Sequence, residues 1–156
     1  MPIQNEREFS RYSIALFDFT KARDFLSEIR NHLPSSLPFQ ALLFAAIVCY
    51  YRPFTENEKS RKSPAASKLR IGEFGNLSPS EKEIHKKCRT LRNEALAHSE
   101  YRHNPTHIDP YSKVIISRPF WLSSDSVDIE GLSKLLDKFI NICHHKRADY
   151  KLHSLP

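Results

Sequence analysis

An apolar stretch that is bounded by prolines, from Leu37 to Arg52, most constrains how this chain folds. Ser36 and Pro38 form a helix-start signal, and Pro53 ends the helix. Almost every position between them is apolar, which predicts a central helix packed by neighbours on several faces. An interface between two copies of the chain is an alternative use for part of this apolar surface. The stretch is shorter than the roughly 20 residues of a membrane span, so no membrane partner is predicted.

Three further stretches have apolar residues at helical spacing. The first runs from about Tyr12 to Leu33, with Leu33 on its apolar face, and Pro34 ends it. The third begins at Ser78-Pro79-Ser80-Glu81, which is a capping-box signal, and runs to about His98. The last helix runs from about Val127 to Arg147 and is capped by Asp125 or Ser126.

Between the third and fourth helices, Val114 to Ser117 is β-branched and short, which predicts an extended segment and one arm of a small hairpin. The predicted fold class is therefore all-α: an up-and-down bundle of about four main helices, with a short extended or β-hairpin insert between helices 3 and 4. A length of 156 residues predicts a single domain over residues 1–156, with a core of about 10–147 and a polar tail of 148–156.

Composition narrows the class of function. The three glycines argue against a turn-rich β fold and against glycine-dependent phosphate loops, so no nucleotide cofactor is expected. Cys49, Cys88 and Cys143 are odd in number and lie among apolar residues, which predicts buried free thiols in a reducing compartment and a cytoplasmic protein. A zinc site from His85, Cys88 and the Cys143-His144-His145 segment is the alternative, but no metal is expected.

The net charge of +6 makes RNA or DNA a reasonable partner, although many soluble proteins are equally basic. The long connection of residues 52–78 carries a basic cluster that is the best candidate for phosphate contacts in RNA. The alternative is an ordinary solvated loop. Ile71, Phe74 and Leu77 predict that the end of this connection packs back onto the bundle. The candidate RNA-binding residues are Lys59, Arg61, Lys62, Lys68 and Arg70.

The apolar stripe of the third helix ends in a histidine. The stripe consists of Ile84, Cys88, Leu91, Ala95 and His98. Arg92 precedes His98 by six residues, so the two side chains point roughly 120° apart on a straight helix. Histidine exchanges protons near neutral pH, and arginine grips phosphate oxygens, which is the chemistry that RNA cleavage needs. The pair therefore needs a kink or a two-fold dimer to converge in one cleft.

The segment Arg92-Asn93-Glu94-Ala95-Leu96-Ala97-His98 is similar to the arginine–histidine motif of HEPN domains, with the favoured Asn after Arg. Tyr50-Tyr51-Arg52-Pro53-Phe54 and the helical pattern of residues 10–145 also resemble the abortive-infection type of that family. The resemblance implies a metal-independent RNA endoribonuclease of a bacterial defence or toxin–antitoxin system. It implies a homodimer with Arg92 on the phosphate, His98 as acid or base and Asn93 in support, and an antitoxin such as a nucleotidyltransferase.

The same residues also admit a structural interpretation. A histidine that ends an apolar stripe is often a buried packing or capping residue. Arg92 is equally able to bridge to a carboxylate such as Asp137 or Glu94. The alternative function is therefore a non-catalytic HEPN-like module that dimerises or binds another protein.

Overall fold

The structure is a computed structural model, and it describes residues 2–55, 68–96, 106–108, 110–112, 115–117 and 122–152. Its four α-helices are α1 (Pro2–Glu28), α2 (Leu37–Tyr51), α3 (Pro79–Thr90) and α4 (Ile129–Leu152). Short 3-10 turns occupy Ile29–Asn31, Arg52–Phe54 and Ile71–Phe74, and a π-helical segment follows α3 at Leu91–Leu96. Strands β1 (Thr106–Ile108) and β2 (Ile115–Ser117) pair antiparallel, with His107 opposite Ile116. The predicted all-α class with four main helices is confirmed.

Two helix starts follow the predicted cap signals. The Ser36 hydroxyl accepts a hydrogen bond from the backbone N–H of Phe39 at 3.3 Å, so α2 begins where the Ser-Pro signal indicates. At α3 the Ser78 hydroxyl accepts from the Glu81 N–H at 3.2 Å, and the Glu81 carboxylate accepts from the Ser78 N–H at 2.7 Å. This reciprocal pair satisfies two N–H groups that a helix end otherwise leaves unpaired.

Other boundaries differ from the sequence prediction. Helix α1 begins at Pro2 rather than near Tyr12, and it leaves helical geometry before Leu33, which is exposed. Helix α4 is capped by Asp128, whose carboxylate accepts from the Gly131 N–H at 2.9 Å, so the predicted caps at Asp125 and Ser126 are wrong. Ser126 instead accepts from the Ser123 N–H at 2.8 Å in the preceding turn. Helix α4 also continues to Leu152, into the predicted polar tail.

The core is built around a cluster of aromatic rings from four parts of the chain. Phe19 of α1 has its ring centroid 5.4 Å from that of Phe139 of α4 and 6.2 Å from that of Tyr50 of α2. Phe74, from the end of the 52–78 connection, lies 4.3 Å from Phe139. All four side chains are fully buried. The prediction that this end of the connection packs back onto the bundle is therefore confirmed by Phe74 and Leu77.

Helix α2 is not buried all round. Leu43, Ile47 and Tyr50 face the core, whereas Leu37 and Phe44 on its outer side remain 74% and 43% exposed. By length and apolarity alone the segment Leu37–Phe54 passes as a membrane span, which core helices of soluble proteins also do. No described element covers this outer side, so the alternative use of part of α2 as an interface between two copies of the chain stays a prediction.

A buried ion pair joins the end of α2 to the middle of α1. Asp18 is 1% exposed, and it is the one buried charged side chain among the described residues. Arg52 holds its carboxylate in a two-point fork: Nε donates to Oδ2 at 3.0 Å, and Nη2 donates to Oδ1. Such a fork satisfies both carboxylate oxygens. The pair therefore fixes where the Tyr50–Phe54 segment lies relative to α1.

Gly131, in the first turn of α4, lies against the side chain of Ile84 on α3. A Cβ atom placed on Gly131 would lie 2.6 Å from Cδ1 of Ile84 and 2.3 Å from Oδ2 of Asp128. Both distances are far shorter than a normal van der Waals contact. The absence of a side chain at this position therefore leaves room for the end of Ile84 and for the capping carboxylate of Asp128.

Candidate nucleic-acid site

The buried side of α3 positions the candidate site. Ile84, Cys88 and Leu91 are buried at helical spacing, as the apolar stripe predicts. The stripe holds α3 against the bundle and leaves its other side to solvent, where Lys82, Lys86 and Arg89 are exposed. The side chain of Ala95 and the whole of His98 lie outside the described residues, so the end of the stripe stays a prediction.

The helix changes its hydrogen-bonding pattern where the motif begins. The backbone N–H of Leu91 is shared between the carbonyls of Lys87 and Cys88, and Leu91–Leu96 then forms a π-helix. In a π-helix each N–H reaches back five residues rather than four, and such segments occur frequently at functional sites. The angle of roughly 120° between Arg92 and His98 assumed a straight α-helix. That assumption does not hold here, because the π-helical segment lies between them.

Arg92 and Asn93 form a pair at the start of this segment. Both side chains are half-buried, and Nη1 of Arg92 donates to Oδ1 of Asn93 at 2.9 Å. The carboxylate of Asp137, one of the two partners considered for Arg92, pairs instead with Arg23 at 3.4 Å. The side chain of Glu94, the other partner considered, is not described. The described partner of Arg92 is thus an amide, which does not neutralise the positive charge that a phosphate contact requires.

Of the predicted RNA-binding residues, Lys68 and Arg70 are described and exposed. They flank Leu69, which is buried and whose N–H donates to the carbonyl of Pro53 at 2.9 Å. The backbone N–H of Arg70 donates to the Glu73 carboxylate at 2.8 Å, which starts the 3-10 turn. Lys59, Arg61 and Lys62 lie outside the described residues, so their role in RNA binding stays a prediction.

His85 lies one turn before Arg89 on α3, and the sequence reasoning assigned it no role in RNA binding. Its Nδ1 atom lies 2.9 Å from the hydroxyl of Tyr50. Its ring packs against those of Tyr51 and Phe54, with centroids 5.4 and 4.9 Å away. Burial, and then the positive charge of Arg89, lower the pKa of His85 to about 4. The spacing of His85, Arg89 and Arg92 was a signal available in the sequence, since residues at i, i+4 and i+7 share a helix face.

Of the three free cysteines, Cys88 and Cys143 are buried as predicted, whereas Cys49 is half-buried. Cys88 and Cys143 are fully buried, and burial raises the pKa of each thiol to about 12. A thiol in that state is neutral near pH 7 and is neither a good nucleophile nor a good metal ligand. Within the described ranges, no three His, Cys, Asp or Glu side chains are grouped so as to hold a metal ion.

We expect the lowered pKa of His85 to make stability depend on pH. At pH 7.5 and above the ring is almost entirely neutral in the folded and unfolded states, so it contributes little pH dependence there. As pH falls from 6.5 towards 4, the unfolded chain binds a proton that the folded protein does not, so the free energy of unfolding decreases. Urea unfolding of wild type and His85→Gln at pH 7.5 and 4.5 measures this loss, which should be smaller in the variant.

His144→Gln is the matched control, because His144 is an exposed histidine on α4. This variant should lose as much stability on acidification as the wild type. Equal losses in wild type and His85→Gln would show that His85 takes up its proton at an ordinary pKa in the folded protein.

Comparison with protein-family models, with curated proteins and with solved structures found no significant match to this chain. Any assignment of function therefore depends on the residues and their geometry.

Proposed function

We propose that the chain is a HEPN-like, metal-independent RNA endoribonuclease that acts as a homodimer in the cytoplasm, in a bacterial defence or toxin–antitoxin system. The observation that carries the proposal is the π-helical segment, whose second residue, Arg92, is held by the amide of Asn93 and by no carboxylate among the described side chains. This segment continues a helix whose solvent-facing side is basic. The histidine of the proposed site is His98, which is assigned from the sequence motif.

The reaction uses the RNA's own 2′-hydroxyl. One His98 takes the proton of the hydroxyl as its oxygen attacks the phosphorus, and a protonated imidazole gives a proton to the departing 5′-oxygen. The products are a 2′,3′-cyclic phosphate and a free 5′-hydroxyl. Arg92 stabilises the negative charge that builds on the phosphate oxygens, and Asn93 holds its guanidinium in place. Two copies of the motif, one from each subunit, supply the base and the acid.

Cleavage of RNA in excess chelator tests this proposal. Wild-type protein should cut a single-stranded RNA in EDTA and leave 2′,3′-cyclic phosphate ends, because no step needs a metal ion. The same RNA with 2′-O-methyl groups lacks the nucleophile, so it should stay intact and serves as the control. Complete absence of cleavage over a range of RNA sequences, by protein shown to be folded, would rule out the proposal.

A second candidate function is a non-catalytic helical module that dimerises. The observation that favours it is the set of large apolar side chains left exposed on the outer sides of α1 and α2. Ile14 and Phe17 of α1 are 51% and 59% exposed, and Leu37 and Phe44 lie on α2. Where such side chains form one contiguous patch, they are typical of contact surfaces. A dimeric mass by light scattering, together with no cleavage, would favour this module over the nuclease.

A nucleotidyltransferase or another small protein as antitoxin belongs to the same proposal. It derives from the HEPN resemblance alone and from no contact in this chain. Co-purification of the chain with the product of a neighbouring gene is the measurement that bears on it.

A further inference from the structure

The geometry points to a phosphate-binding face on α3, in which His85, Arg89 and Arg92 bind the backbone of a single-stranded RNA beside the bond that is cut. This inference rests on the proposed function, and it adds a second histidine and a second arginine to the site. Residues at i and i+4 share one face of an α-helix, as His85 and Arg89 do on α3. With a rise of about 1.5 Å per residue, Arg89 lies roughly 6 Å beyond His85 along α3. Arg92 follows as the second residue of the π-helical segment.

The charge around this face favours a polyanion. Lys82 and Lys86 flank His85, and both are exposed. In the described part of the chain neither Arg89 nor Arg92 forms an ion pair with a carboxylate. The face is therefore rich in positive charge that the described residues do not neutralise, as phosphate binding requires.

The two described carboxylates of α3 nearest to His85 do not oppose this charge. Glu81 lies one turn before His85, but Nζ of Lys138 donates to its two oxygens at 3.0 and 3.1 Å. Glu81 is also the partner of the Ser78 N–H in the capping box. Glu83 lies about 160° away from His85 around the helix, at 100° per residue. A phosphate bound on the face of His85 and Arg89 would therefore not be repelled by an unpaired glutamate of α3.

His85 contributes a fixed neutral donor. The Tyr50 side chain is fully buried, and burial raises the pKa of its phenol, so the hydroxyl keeps its proton. Its one partner in the described part of the chain is Nδ1 of His85. If Nδ1–H donated to the phenol oxygen, the phenol proton would be buried without an acceptor, which is costly. Tyr50 therefore donates to Nδ1, and the ring proton of His85 lies on Nε2.

That Nε2–H group is available to a ligand. It has no hydrogen-bond partner among the described residues, and it is not one of the described polar atoms that are buried without a partner. The Nε2 atom is therefore not sealed within the described core, and His85 lies one turn before Arg89 on α3. A neutral N–H and two guanidinium groups in a row suit consecutive backbone phosphates, and none of them reads a base. We therefore expect binding of single-stranded RNA with little sequence preference.

Fluorescence anisotropy with a labelled, single-stranded 2′-O-methyl RNA tests this face, because that RNA binds without being cut. Arg89→Ala should weaken binding about tenfold, the value of one charged hydrogen bond. It should also reduce the slope of log Kd against log salt by about 0.7, the release of one counterion. The control is Arg30→Ala, which removes the same charge from an exposed position after α1 and should change Kd less than twofold.

The neutral donor is tested by the double variant Tyr50→Phe/His85→Phe. It removes both partners of the buried hydrogen bond and keeps two aromatic rings in the core, so the fold is retained at low cost. Binding should weaken about threefold with an unchanged salt slope, since a neutral group releases no counterion. A reduced slope would show that His85 binds as a cation and would overturn its role as a neutral donor.

The binding face itself is overturned if Arg89→Ala binds RNA as tightly as Arg30→Ala does. This outcome leaves the nuclease proposal standing, because cleavage by wild-type protein is measured separately. Conversely, a wild-type protein that binds RNA through Arg89 but cuts no RNA in chelator would overturn the nuclease proposal and support the binding face.

Discussion

Replacement of Arg92 by alanine is expected to lower the rate of RNA cleavage by about 10²–10³-fold, the effect of losing one well-placed donor to a developing negative charge. Arg92 is the described residue best placed for that role, since its guanidinium is half-buried and is oriented by Asn93 at 2.9 Å. The measurement is the single-turnover rate on a labelled single-stranded RNA, with protein in excess. At protein concentrations that saturate the RNA for each variant, a change in RNA affinity does not alter the observed rate.

Two variants separate the role of the two parallel N–H donors of Arg92 from the role of its charge alone. Arg92→Lys keeps the charge but not the two parallel donors, so it should recover only part of the rate. Arg30→Ala removes an arginine from another element and should cut RNA at the wild-type rate. An Arg92→Ala protein that retains the wild-type rate would remove Arg92 from the mechanism.

Replacement of Arg52 by methionine is expected to lower the free energy of unfolding by about 3 kcal/mol, because it leaves the carboxylate of Asp18 buried without its partner. Asp18 is 1% exposed, whereas the Arg52 side chain is 55% exposed, so water reaches the arginine and reduces the loss below that of a fully buried pair. Urea unfolding at pH 7 measures the change. The methylene stem of methionine keeps much of the packing of arginine, so the difference reports mainly on the ion pair.

The matched control is Arg23→Met, which breaks the pair between Arg23 and Asp137 on the surface. Both of those side chains are about half exposed, so the change should stay below about 1 kcal/mol. The double variant Asp18→Asn/Arg52→Met should be more stable than Arg52→Met alone, because it removes the buried charge. Equal losses from Arg52→Met and Arg23→Met would show that solvent screens the Asp18 carboxylate despite its burial.

The ion pair also bears on the candidate RNA site. It anchors Arg52 at the end of α2, directly after Tyr50 and Tyr51, whose rings contact His85. Loss of the anchor therefore acts on the residues that hold the His85 ring in place. Stability and the geometry of the basic face on α3 are coupled through this short segment.

Local signals in the sequence predicted the parts of the fold that depend on neighbours along the chain. Helix caps and proline stops act within one helical turn. The caps at Ser36 and Ser78 and the proline at Pro53 therefore allowed the start and end of α2 and the start of α3 to be predicted from the sequence. The early start of α1 was missed, although Pro2 lies at the favoured first position of a helix. The first turns carry no regular apolar stripe, and periodicity alone does not reveal such a segment.

Contacts between distant residues left no comparable signal. The Asp18–Arg52 and Tyr50–His85 pairs join residues 34 and 35 positions apart, and no pattern within one helix marks them. The π-helical segment was hidden for another reason. The apolar spacing from Ile84 to Ala95 fits a regular α-helix, so a change of hydrogen-bond partner at Leu91 does not alter it. The motif identified Arg92 and Asn93 as candidates. It did not reveal that Asn93 holds the Arg92 guanidinium by a hydrogen bond.

The glycine at the contact between α3 and α4 limits how this chain can diverge. A side chain at Gly131 would meet the ends of the Ile84 and Asp128 side chains, so both would have to turn away. For Asp128 that movement would disturb the hydrogen bond that caps α4. Selection for the same cap would therefore retain glycine while the surface around it varied. A distant homologue that has lost recognisable similarity elsewhere is expected to keep glycine three residues after the acidic cap of its last helix.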